Sequence, residues 1–115
     1  MTKKKIVIFG LSCDGRAIFR KHKNDKKYQI VAFIDSYKDV CSYNNIPVHK
    51  PNKILEIDFD NILIAGRYSG EQKKQLERLG IPSSKILHLS KKDLLPPQEV
   101  LDLREQNYHK EKRKQ

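Results

Sequence analysis

Ile6-Val7-Ile8-Phe9-Gly10-Leu11-Ser12-Cys13-Asp14-Gly15-Arg16-Ala17 is the stretch that decides how this 115-residue chain is read. Four apolar residues run without alternation into a glycine, the pattern of a strand buried on both faces. The reading places a strand over residues 5–10 and a helix that opens at Asp14 or Gly15 and runs to about residue 23, with Ala17, Ile18 and Phe19 turned inward. Between them, Gly10 permits a tight turn and Gly15 lets the helix pack close to the strand. Backbone N–H groups at the helix start then face any anion placed there. Against the pattern G-x-G-x-x-G, Gly10 and Gly15 hold the first and third glycine positions and Ser12 the middle one. Serine narrows the approach of a pyrophosphate to the backbone but offers a hydroxyl to a phosphate oxygen. Asp14 opposes an anion unless it points away. The competing reading is a strand–helix connection kept small for packing alone.

Working outward, residues 28–35 form a second continuous apolar strand. It ends at Asp35, 20 residues after Gly15, where dinucleotide-binding folds place an acid to receive ribose hydroxyls. Asp35-Ser36 is also ordinary turn chemistry. Residues 36–45 read as a polar loop, and 46–48 as a short edge strand, where Pro47 is tolerated. Pro51 suits the first turn of a short helix through about residue 57. Residues 61–65 are a third buried strand, ending in Ala65-Gly66-Arg67. Small residues there let a base or ribose lie against the sheet's carboxyl edge, and Arg67 is either a phosphate contact or a solvated loop charge. Ser69 caps a helix over residues 70–79, Gly80 stops it and Pro82 blocks its continuation. Residues 85–89 make the final strand.

Strands alternate with helices almost throughout. The expected architecture is therefore α/β and Rossmann-like, a parallel sheet of about four to five strands with helices on both faces. Residues 1–90 form this domain. Residues 91–115 add a C-terminal helix, interrupted from the sheet by Pro96-Pro97, and a basic tail. Val100, Leu101, Leu103 and Tyr108 give that helix an apolar strip, expected to dock on a second copy or an enzyme partner. The alternative is burial on the home sheet.

Composition excludes several classes. No apolar run approaches the roughly 20 residues of a membrane span. The basic start is followed by only four apolar residues before Gly10, so no export signal is read. Two cysteines make no disulfide framework, and a cytoplasmic location is expected. The net charge of +10 resides wholly in segments 3–5, 20–27 and 109–115. No nucleic-acid-binding motif accompanies it, and no aromatics interleave with the basic residues, so nucleic acid is not an expected partner. Solvated surface is the plain reading of this charge.

The turn also imitates G-x-x-x-x-G-K-[ST], but Arg16 replaces the lysine and Ala17 the magnesium-binding hydroxyl, so nucleotide hydrolysis is not expected. Cys13 sits near a helix N-terminus, where a thiolate gains stabilisation, yet no histidine or second cysteine is close in sequence. His22, His49, His88 and His109 lack metal-ligand spacing. No catalytic arrangement and no metal site is read, and the chain is expected not to turn over substrate alone.

Val31-Ala32-Phe33-Ile34-Asp35, Ile46-Pro47-Val48, Asp60-Asn61-Ile62-Leu63-Ile64-Ala65 and the run from Leu76 through Gly80-Ile81-Pro82 to Ile86 carry a resemblance. Residues 4–89 resemble the small Rossmann-like domains of bacterial surface-polysaccharide pathways. These stand at the N-terminus of sugar acetyltransferases and nucleotide-sugar dehydratases, or attached to sugar-modifying methyltransferases. The resemblance implies an accessory module that binds a nucleotide-sugar or an NAD-type dinucleotide. On that reading Gly10, Ser12 and Gly15 hold the pyrophosphate and Asp35 the ribose, with Leu11, Cys13, Gly66 and Arg67 counted among the binding residues around them. The alternative is a non-catalytic interaction module with a degenerate nucleotide pocket.

Overall fold

Short runs rich in isoleucine, valine and phenylalanine recur along the chain, and such residues fit a pleated, buried surface. In the computed structural model, which describes residues 3–65, 69–89, 95 and 99–103, these runs pair into one sheet. The elements are β1 (Lys4–Phe9), α1 (Cys13–His22), β2 (Tyr28–Ile34), β3 (Ser42–Tyr43), β4 (Ile46–His49), β5 (Asn61–Ala65), α2 (Ser69–Arg78) and β6 (Ile86–Leu89). Short 3-10 turns over Pro51–Glu56 and Ser83–Lys85 complete them. The sheet order is β3-β4-β2-β1-β5-β6. All neighbours are parallel except the β3–β4 pair.

Among the described residues the sheet has six strands, above the four to five expected, because β3 lies inside the stretch read as a polar loop. Asn44 and Asn45 both adopt positive φ, 49° and 66°, the conformation of a two-residue hairpin turn that asparagine tolerates. They fold Ser42 and Tyr43 back onto Pro47 and Ile46. The edge strand is therefore β3 rather than β4. Pairing of β4 with β2 begins at Val48 opposite Phe33, so Pro47 breaks no bond to β2.

Side chains of successive strand residues point to opposite faces, and each face has its own layer. Ile6, Ile8, Phe33 and Leu63 pack with Ile18 and Phe19 of α1 and with Leu95 and Leu101. Val7, Phe9, Ile34, Ile62 and Ile64 pack with Ile54 of the first 3-10 turn and Leu76 of α2. Gly80, at φ +94°, follows α2 as the C-terminal stop that the sequence suggests.

Residues 99–103 are helical, and they bear on the expected docking strip. Leu101 is 0% exposed, whereas Val100 and Leu103 are 38% and 56% exposed. Lys4 Nζ pairs with Asp102 at 2.6 Å, and the Leu95 N–H donates to Nε2 of buried His22 at 3.2 Å. At these residues the chain closes the layer over α1 and β1. Tyr108 and the basic tail lie outside the described residues. No helix among the described residues is long and apolar enough to cross a membrane.

Candidate functional site

β1 lies between β2 and β5. The chain leaves β1 for β2 on one side and later returns through β5 on the other. The crevice beyond the carboxyl ends of β1 and β5 is thus the topological switch point, where open α/β sheets bind ligands.

The turn from β1 into α1 sits at this crevice. Gly10 adopts φ +111°, and a Cβ there would lie 3.2 Å from the Ala65 carbonyl oxygen. Its N–H donates to the Ile34 carbonyl at 2.8 Å. At Gly15 a Cβ would stand only 2.0 Å from the Gly10 carbonyl oxygen and 3.4 Å from Ile8 Cγ2. No side chain fits between α1 and the turn, so the close packing read from Gly15 is physically required. Ser12 is the N-cap residue, exposed, and its hydroxyl makes no capping bond. The first intrahelical bond runs from Arg16 N–H to the Ser12 carbonyl at 2.9 Å. The N–H groups of Cys13, Asp14 and Gly15 therefore precede the helix ladder, at its positive end.

Asp35 lies against this turn from the β2 side. Its Oδ2 accepts the Leu11 N–H at 2.8 Å, and its Oδ1 accepts the N–H groups of Tyr37 and Lys38, both at 2.8 Å. Burial opposes ionisation of this carboxyl. The N–H groups of Leu11, Lys38 and Tyr37, with the charge of Lys38, outweigh it and hold the pKa below the usual carboxylate range. The loop beyond is held from its other side by Lys50, whose Nζ donates to the Lys38 carbonyl at 2.9 Å and pairs with Asp39 at 3.1 Å.

Six of the expected site residues, Gly10, Leu11, Ser12, Cys13, Gly15 and Asp35, thus belong to one turn and its carboxylate latch. Cys13 is an exposed free cysteine. Gly66 and Arg67 lie outside the described residues, although the Ala65 carbonyl that precedes them faces Gly10. Arg16, read as a failed phosphate lysine, stands over the Tyr43 ring at 5.6 Å. Tyr43 itself packs edge-on against Phe19 and Phe33, while Tyr37 is 91% exposed. Among the described residues no group of histidine, cysteine and carboxylate side chains is placed to hold a metal ion.

One residue at the crevice escapes the sequence reading. Gln72 of α2 brings its Nε2 to 3.8 Å from the Gly10 Cβ position. Ser69-x-x-Gln72 reads as a helix-capping pair, a signal that conceals any other role.

A family model described as C2185-like, N-terminal, matches residues 2–87. No curated protein matches the chain. Among solved structures, the UDP-D-quinovosamine 4-dehydrogenase of Vibrio fischeri superposes with a TM-score of 0.62 at 18% identity. The alignment covers 88% of this chain and 85% of that one. This likeness establishes a Rossmann-like fold.

Proposed function

The chain belongs to the C2185-like, N-terminal, family, and from that premise we propose that its β1–α1 turn binds the diphosphate of a nucleotide-sugar or dinucleotide. The observation that carries this reading is the seat of α1 on the turn. With a Gly15 Cβ excluded at 2.0 Å from the Gly10 carbonyl, the start of α1 is fixed at the switch point with its leading N–H groups ahead of the ladder. Helix starts of this kind bind phosphate through the backbone and the helix dipole together. The Ser12 hydroxyl adds a donor. A carboxylate offers about four acceptor positions. Three of those on Asp35 are occupied by backbone N–H groups, which leaves one for a ribose hydroxyl.

The module acts as an accessory binding domain in bacterial polysaccharide or sugar modification, as in the acetyltransferase- and dehydratase-linked domains it resembles. The fold of a UDP-sugar dehydrogenase is compatible with that role. The occupied carboxylate of Asp35 favours a second reading, an interaction module whose pocket has closed. Amide NMR separates the two. Titration with UDP-glucose or NAD should shift the resonances of Leu11 to Gly15 ahead of all others. Shifts confined to other parts of the chain would favour the second reading.

A further inference from the structure

Gln72 occupies an anomalous place in α2. It lies one turn before Leu76, which packs in the apolar layer with Ile62, Ile64 and Ile81. Residues four apart share a helix face, so position 72 continues the stripe of Leu76 toward the crevice, where Gln72 is half-buried. A carboxamide stands there. Its Oε1 is buried and has no hydrogen-bond partner, while its Nε2 approaches Gly10. Buried acceptors in native proteins are nearly always paired, because an unpaired one forfeits its hydration for nothing. Local rules broken without local compensation concentrate at functional positions.

The position of Gln72 specifies its use. Asp35 flanks the turn from the β2 side and Gln72 from the β5 and α2 side. A diphosphate lying across the turn with its ribose toward Asp35 carries its other substituent toward Gln72. We propose that Gln72 reads the group beyond the second phosphate, its Oε1 accepting a hydrogen bond from a hydroxyl of a sugar ring. The inference rests on the diphosphate reading above. The terminal torsion of glutamine is broad, so the oxygen can turn to the crevice when the ring arrives. Gln72 is thus a specificity-determining residue: it distinguishes a glycosylated diphosphate from a bare one.

Calorimetry of the full chain tests this. UDP-glucose, dTDP-glucose and GDP-mannose are each compared with UDP, dTDP or GDP, and NAD is included. Gln72→Met, of similar length and apolar, should weaken the nucleotide sugar that binds about tenfold and leave its bare diphosphate unchanged. Its Tm should rise, because the unpaired acceptor is gone. Gln72→Asn, which withdraws the amide by one methylene, should show the same selective loss without the rise in Tm. A loss confined to NAD supports the assignment with the hydroxyl on a ribose. Unchanged sugar binding in Gln72→Met, with the diphosphate still bound, overturns this inference and leaves the diphosphate reading standing. Equal losses for sugar and bare diphosphate also overturn it, since they assign Gln72 to the phosphates. Silence of the wild-type chain toward every ligand overturns both.

Discussion

Asp35 ties two loops together with one carboxylate, and the sequence reveals the acid without revealing its partners. Its place at the end of a strand is legible because strand and helix periodicities locate it 20 residues beyond Gly15. That Leu11, Tyr37 and Lys38 all donate to it depends on how the β1 and β2 ends lie side by side, which no local pattern encodes. Asp35→Asn should therefore lose stability as well as ligand, by about 1–3 kcal/mol, because an amide N–H₂ would then face the Leu11 N–H. The pKa of Asp35 is depressed in the folded state from the ordinary 3.8. Its contribution is thus fully present above that value and lost as the pH falls below it through the folded pKa. Thermal melts by circular dichroism between pH 2 and 7 should show an acid-side decline that is shallower in Asp35→Asn. Equal declines in the two proteins would assign acid sensitivity elsewhere.

Asn61 is the opposite case. It reads as an ordinary strand-start residue, yet it is fully buried and neither amide atom has a partner. It shares the face of Leu63, among apolar neighbours. Asn61→Leu should raise stability by about 1 kcal/mol, or about 4 °C in Tm. A fall in Tm would mean that the amide is satisfied in solution.

At the scale of elements, β1, β2, β5 and β6 are legible because each is a compact apolar run bounded by glycine, proline or polar residues. β3 is not, since two residues cannot establish a period, and its only signal is the Asn44-Asn45 turn. The order of strands in the sheet is equally invisible to periodicity; it follows from pairing between distant segments. The seat of α1 is the junction on which the site depends. Gly15→Val must drive α1 off the turn and should cost about 3 kcal/mol or more, with loss of ligand binding. Gly70 supplies the control, because a Cβ there meets nothing within 4 Å. Gly70→Ala should stabilise α2 by about 0.5–1 kcal/mol. Chemical denaturation measures both, and a Gly15→Val protein as stable as wild type would refute the packing account.

Across the described residues, the proposed site and much of the basic charge lie apart. Lys3, Arg20, Lys23, Lys26 and Lys27 are exposed and gather at the amino ends of the strands, where Lys4 N–H meets the Lys27 carbonyl at 2.9 Å. The β1–α1 turn lies at the opposite end from these residues, so its proposed affinity comes from backbone N–H groups rather than from them. The layer over α1 is completed by Leu95 and Leu101. The sequence shows an apolar strip there but not which residue of it is buried. Leu101→Ala should cost about 2–5 kcal/mol, while Leu103→Ala should stay within about 0.5 kcal/mol of wild type. Equal, small effects would mean that this segment is not part of the core.

Ser12→Asp tests the proposed diphosphate site most directly. Aspartate is as good an N-cap as serine, so the variant should fold with unchanged Tm, yet it places a negative charge at the proposed phosphate position. Calorimetric titration of both proteins with UDP-glucose and NAD should show binding of at least one by wild type and loss of that binding in Ser12→Asp. Binding of equal strength in the two proteins, or no heat from wild type at millimolar ligand, would contradict the account.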